Sequence, residues 1–154
     1  MSAEQKLKEL KLELPPAPDP VAVYKPLVIV GNIVYVSGHG PVRPDGSLMK
    51  GRVGEELDQQ AGYDAARQVG LTMLATLKKH LGSLDRVKRV VKLLGLVNST
   101  DAFDQQPAVI NGCSELFAQV FGEEAGIGAR SAVGTNALPG KIPVEIECIF
   151  EITD

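Results

Sequence analysis

With 154 residues, the chain is long enough for one domain with a hydrophobic core, and two domains are not expected. Its residues are 44% hydrophobic and 23% charged, as in globular proteins, and 19 acidic against 16 basic residues give a net charge of −3, which argues against a dedicated nucleic-acid binder. No apolar run approaches the roughly 20 residues that span a bilayer, and the N-terminus lacks the apolar stretch of a secretory signal.

The two cysteines, Cys113 and Cys148, predict neither a redox site nor a metal site. They have no CxxC spacing and no nearby histidine. Both fall in apolar patterns, so we expect small core residues in a reduced, cytoplasmic protein. The GxGxxG, P-loop and HExxH motifs are absent, and no cofactor or metal is predicted.

Residues 1–20 are predicted to form an extension ahead of one domain at 21–154. Leucines among charges at residues 3–12 favour a short surface helix. The next stretch is expected to be an extended linker because it contains four prolines, Pro15, Pro16, Pro18 and Pro20.

The domain is predicted to begin with a hairpin. Two β-rich runs, 26–30 and 33–37, flank Gly31-Asn32, which suits a tight turn. A helix is predicted over 56–81, from apolar residues at helical spacing and Gly82 as its C-cap. A strand over 87–97 and a second helix over 107–121 follow.

The C-terminal segment predicts a strand with one apolar face, because Val144, Ile146, Cys148 and Phe150 alternate with other residues. Glu145 and Glu147 lie on the opposite face. An earlier segment carries Arg130, and a turn at 138–140 separates the two, so we expect this guanidinium and a carboxylate to approach the same place.

The whole pattern predicts an α+β fold, in which a mixed or antiparallel sheet carries two helices on one face. The other sheet face is partly apolar and still needs cover. Another copy of the chain would supply it.

Several short motifs resemble the Rid (reactive intermediate/imine deaminase) family, also called the YjgF or endoribonuclease L-PSP family. The resemblance extends from about Tyr24 to the C-terminus, and these motifs are Tyr24, Gly31-Asn32, Ser37-Gly38, Ala129-Arg130-Ser131, Leu138-Pro139 and Val144-Glu145-Ile146-Glu147. It implies a chorismate-mutase-like fold and a homotrimer with one site in each subunit cleft. The chain resembles a longer branch of the family, with Gly128, Ala132 and His39 where proline, cysteine and glutamine are common.

The resemblance also implies roles for individual residues. Arg130 would bind the substrate carboxylate, and Glu145 would order or deprotonate a water molecule. The expected substrate-binding residues are Tyr24, Ser37, Gly38, His39, Asn111 and Ala132, the last through its backbone carbonyl.

Structural alternatives stand beside these roles. Spacing alone favours an Arg130 that pairs with Glu145 or Glu147 at a surface or interface. Tyr24 could be an interface aromatic, and Asn111 a helix-surface amide. Ser37 could bond only its own loop, and His39 could be a polar loop residue instead of a proton shuttle.

The resulting hypothesis is a cofactor-free hydrolase that converts 2-imino acids, such as the 2-iminopropanoate tautomer of 2-aminoacrylate, to 2-oxo acids and ammonia. The alternative is a non-catalytic trimer that binds a metabolite carboxylate. Ribonuclease activity is the weakest hypothesis because the chain is acidic and has no basic stripe. The expected partners are a small carboxylate-bearing imine or metabolite and other copies of the chain, with no membrane.

Overall fold

A five-stranded mixed sheet carries two long helices on one of its faces. The computed structural model describes residues 1–154. Its helices and strands in chain order are α1 (Ala3–Glu9), β1 (Leu27–Val30), β2 (Ile33–His39), α2 (Gln59–Leu81), β3 (Val87–Asn98), α3 (Gln106–Phe121), α4 (Glu123–Gly126), β4 (Ala129–Thr135) and β5 (Val144–Ile152). The predicted α+β class is confirmed. No helix has both the length and the apolar character needed to cross a membrane.

The core lies between the sheet and the helices α2 and α3. Helix α2 is capped at its N-terminus by Asp58, whose side chain accepts the Ala61 N–H at 2.8 Å, and at its C-terminus by Gly82 with φ 84°. The predicted apolar face of β5 is confirmed, because Val144, Ile146, Cys148 and Phe150 are all buried. The short helix α4 was not predicted from the sequence.

The strand order is β1-β2-β5-β3-β4, so β4 and β5 are not neighbours. Strand β5 inserts between β2 and β3 and runs antiparallel to both, whereas β4 pairs in parallel with β3 at the sheet edge. The chain crosses the end of β3 between them, where the Asn98 N–H donates to the Pro143 carbonyl at 2.8 Å. The expectation that Arg130 and Glu145 approach the same place is therefore wrong within one chain.

Helix α1 is part of the core and not only a surface helix. Ser2 caps its first turn, and Ala3 and Leu7 are buried against the main core cluster. The Glu4 carboxylate accepts the Leu84 N–H and the Lys78 ammonium, at 2.8 and 2.9 Å. Partial burial alone would raise the pKa of Glu4, but these two bonds lower it.

Replacing Leu7 with alanine is expected to lower the free energy of unfolding by about 2–4 kcal/mol, because it leaves a cavity beneath α1. Leu10→Ala is the matched control, since Leu10 is 38% exposed just beyond the same helix. Denaturant unfolding at one fixed protein concentration measures both. Equal effects of the two substitutions would show that α1 does not stabilise the core.

The face of the sheet opposite the helices has no cover within the chain. It is partly apolar, because Tyr35, Leu94 and Ile149 line a cavity of about 620 Å³ together with the charged residues Lys92 and Glu147. Tyr35 is 49% exposed, and Val28 beside it 47%. We call this surface the outer face. The edge strand β1 is also exposed, because Val30 at its end is 61% accessible.

Candidate functional site

Arg130 lies on the helix-facing side of the sheet, at the start of β4. It pairs with Leu93 of β3, a buried residue, and its side chain extends along α3. Its Nη1 donates to Ser114 Oγ at 3.1 Å, and its Nη2 donates to the Pro107 carbonyl at 3.2 Å. No carboxylate of the chain forms an ion pair with this guanidinium. The interpretation of Arg130 as the partner of Glu145 or Glu147 does not hold within one subunit.

Asn111 stands beside Arg130. Pro107, Asn111 and Ser114 follow one another at positions i, i+4 and i+7, which places them on one face of α3. Asn111, Ser114 and Arg130 line the same cavity. The sequence predicted Asn111 but missed Ser114, although its spacing from Asn111 was a usable signal.

Glu145 lies on the other side of the sheet. It pairs with Leu96 of β3, and its carboxylate contacts the backbone at Gly38 so closely that any side chain at position 38 would overlap it. Partial burial raises the pKa of Glu145, and the charge of Glu147 on the same strand face raises it further. A carboxylate with a raised pKa is a better proton acceptor than an ordinary surface glutamate.

Ser37 and Tyr24 lie at the same end of β2 as Gly38. The Ser37 hydroxyl donates to the Lys25 carbonyl at 2.5 Å, which fixes the chain next to Tyr24. Tyr24 itself is 47% exposed in the loop before β1. The Ser37 hydroxyl is therefore engaged with its loop, as the structural alternative expected, whereas Tyr24 is accessible.

His39 does not face this surface. The register of β2 shifts between Val36 and His39, and this bulge returns the His39 side chain to the core, where it is 4% exposed. Its Nδ1–H donates to the Ser37 carbonyl at 2.6 Å, and Nε2 accepts the Thr76 hydroxyl at 2.8 Å. Burial lowers the pKa of His39, so the imidazole is neutral at pH 7. This placement contradicts a direct contact with substrate or a proton shuttle there.

The predicted site residues thus form two separate groups. The first group is Arg130 and Asn111, with Ala132 further along β4 and opposite Gly95 of β3. The second group is Glu145, Gly38, Ser37 and Tyr24, across the sheet. Cys113 and Cys148 are both buried, which raises the pKa of each thiol. Nowhere do three or more His, Cys, Asp or Glu side chains converge as they would around a metal ion.

Glu147→Gln is expected to shift the titration of Glu145 to lower pH, because it removes the neighbouring negative charge. Since the ionised form of Glu145 is the base, any activity that depends on it should then persist to lower pH. Carbon-13 NMR of the labelled side-chain carboxyl measures the titration directly. Asp45→Asn, in an exposed loop, is the control. An unchanged Glu145 titration would contradict the coupling.

Comparison with known sequences identifies the protein family of this chain. A family profile described as "YjgF/chorismate_mutase-like, putative endoribonuclease" matches residues 4–151. The chain belongs to the YjgF/Rid family. Among its relatives, Protein TCP17 of Trypanosoma cruzi is 41% identical over 148 residues, which cover 96% of this chain and 92% of TCP17.

Two further similar proteins are a solved structure of unknown function and a named enzyme. The crystal structure of Atu1372 from Agrobacterium tumefaciens, a protein of unknown function, superposes with a TM-score of 0.90 and 42% identity over 98% of this chain and 92% of its own. A 2-iminobutanoate/2-iminopropanoate deaminase of Dermatophagoides farinae is 30% identical over 142 residues, 92% of this chain and 94% of the relative. The expected chorismate-mutase-like fold is confirmed.

Proposed function

We propose that this YjgF/Rid chain is an imine deaminase whose sites form in the clefts between subunits of a homotrimer. Its substrates are 2-imino acids and their enamine tautomers, and its products are 2-oxo acids and ammonia. The observation that carries the proposal is the Arg130 guanidinium, held along α3 by Ser114 and Pro107 without a carboxylate partner. Such a fixed planar fork suits the carboxylate that every 2-imino acid carries.

The separation of the two groups supports a site in a cleft between subunits. A carboxylate-binding arginine and a water-activating glutamate must both reach a substrate a few ångströms across. Arg130 and Glu145 lie on opposite sides of the sheet with β3 between β4 and β5, so one chain cannot supply both. The glutamate beside Arg130 would therefore come from another copy of the chain, which reaches Arg130 at the edge strand β4.

In the proposed reaction the substrate carboxylate binds Arg130, and the nearby cation makes the imine carbon more electrophilic. Glu145 of another copy accepts a proton from water as the oxygen attacks that carbon. Glu145 passes that proton on to the imine nitrogen, which gives the 2-amino-2-hydroxy acid and restores the carboxylate. The hydroxyl proton of this intermediate then moves to its amino group, and ammonia leaves as the carbonyl forms. The protein has only to position reactants and supply modest acid-base help, because free imines already hydrolyse in water.

Two observations support a deaminase in the cytoplasm. The two cysteines are unpaired and buried, which suits a reducing compartment such as the cytoplasm. The named deaminase relative aligns over most of this chain. The family profile's description as a putative endoribonuclease leaves ribonuclease as a second candidate, and the net charge of −3 makes it the weaker one.

The test generates 2-iminopropanoate from alanine with an amino-acid oxidase, in the presence of semicarbazide, which competes for the imine. We expect the wild-type protein to divert imine from the trap to 2-oxo acid and ammonia, and to sediment as three chains. If the trapped fraction is unchanged while 2-oxo acids bind, the carboxylate-binding trimer replaces the enzyme as the best account.

A further inference from the structure

The cavity that begins at Arg130 continues along α3, away from the guanidinium, and has a volume of about 280 Å³. We call it the α3 cavity. Its floor is formed by Val90, Leu93 and Phe117, and its wall by Ala118 and Ile127. Val90, Leu93 and Phe117 are all buried in the main core, so this floor is rigid and apolar.

Polar groups gather at one end of the α3 cavity. Arg130, Asn111 and Ser114 form that end, and the bond from Nη1 to Ser114 Oγ holds the guanidinium in place there. A ligand that fits this arrangement has a carboxylate at one end and an apolar tail.

A second polar residue restricts the tail further. Glu115 also lines the α3 cavity, and it accepts a hydrogen bond from the Tyr63 hydroxyl. Its negative charge disfavours a second carboxylate in the cavity. An uncharged tail is therefore preferred over the side chain of an acidic amino acid.

The segment that closes the α3 cavity packs tightly against its neighbours. A side chain at Gly126 would overlap the backbone of α3 at Phe117, and one at Gly128 would overlap the backbone of β3 at Val90. These two glycines let the segment approach both elements closely and present Ile127 between them. Ile127 remains 58% exposed, so it lies at the rim and can be changed without opening the core.

We propose that the α3 cavity binds the side chain of the substrate and makes the chain selective for 2-imino acids with linear or branched aliphatic side chains over 2-iminopropanoate. This inference rests on the proposed deaminase function and specifies its substrates. The volume is at the lower end for ligand pockets, which suits a side chain of a few carbons and not a second molecule.

The size of the effect follows from the apolar contact. Each methylene group that leaves water for an apolar pocket favours the bound transition state by on the order of fourfold. The imine derived from norvaline carries two more methylene groups than the imine derived from alanine. Its kcat/KM is therefore expected to be higher by on the order of tenfold.

The experiment measures kcat/KM for both imines with the same oxidase and semicarbazide trap, in wild type and three variants. Ala118→Val fills the α3 cavity, and Ile127→Ala removes apolar contact at its rim. Leu48→Ala is the matched control, because Leu48 is also a partly exposed aliphatic residue, 38% accessible, but lies in the loop after β2. Circular dichroism checks that each variant is folded. If Ala118→Val does not fold, the comparison of Ile127→Ala with Leu48→Ala decides the result.

The expected result is a norvaline-to-alanine preference of about tenfold that falls several-fold in Ile127→Ala and persists in Leu48→Ala. If both imines are hydrolysed with equal kcat/KM, or if Ile127→Ala leaves the preference intact, the side-chain role of the α3 cavity is wrong and the deaminase function stands. If neither imine is hydrolysed, the proposed function and this inference fall together.

Discussion

Arg130→Ala is expected to lower kcat/KM for imine hydrolysis by on the order of a hundredfold or more. The substitution removes the guanidinium that Ser114 and the Pro107 carbonyl hold along α3. Without it the substrate carboxylate has no bidentate partner, and the imine carbon loses a neighbouring positive charge. The oxidase-coupled assay with the semicarbazide trap measures the effect.

Two further arginine variants sharpen this result. Arg130→Lys keeps the charge but loses the planar fork, so an intermediate loss is expected. Arg89→Ala is the control, because Arg89 is an exposed arginine on β3. If Arg130→Ala and Arg89→Ala retain the same activity, Arg130 does not bind the substrate.

Mixing two inactive variants is expected to restore activity from near background. Arg130→Ala retains Glu145, and Glu145→Gln retains Arg130, so a cleft between unlike subunits can contain both intact groups. In randomly mixed trimers roughly a quarter of the clefts combine the two. The mixture should therefore recover on the order of a quarter of the wild-type rate after co-refolding.

The control for mixing is the double variant Arg130→Ala/Glu145→Gln co-refolded with each single variant, since no cleft in these mixtures is complete. Sedimentation shows whether the trimers have formed. If Arg130→Ala and Glu145→Gln form mixed trimers that remain inactive, the site is not shared between Arg130 of one copy and Glu145 of another.

The element pattern of this chain was largely accessible from the sequence. Alternation at Val144, Ile146, Cys148 and Phe150 predicted the buried face of β5, and the Gly31-Asn32 turn predicted the β1-β2 hairpin. These signals are local, because a strand's faces and a tight turn are set by neighbouring residues. Helix α4 was missed because its four residues are too few for a helical periodicity.

The face on which His39 lies and the distance of Arg130 from Glu145 could not be predicted from the sequence. Regular alternation from Val34 and Val36 places His39 on the outer face, but the bulge in β2 reverses it. Arg130 and Glu145 are close in sequence, yet β5 joins the sheet on the far side of β3. Strand order depends on long-range pairing, which residue spacing does not encode.

The docking of α1 was also hidden from the sequence. Leu7 among charged residues suits a surface helix as well as a buried one. The deciding contact is the Glu4 carboxylate on the Leu84 N–H, between residues 80 positions apart. Contacts over such separations are set by the tertiary fold.

Strand β1 makes the isolated chain prone to aggregation. Its sequence, Leu27-Val-Ile-Val30, is wholly aliphatic, and it lies at a sheet edge whose outward backbone groups are free to pair with another chain. Such edges promote uncontrolled strand addition, which the shortness of β1 and Pro26 just before it only limit. An assembly in which a neighbouring subunit covers this edge would therefore protect the chain from insolubility.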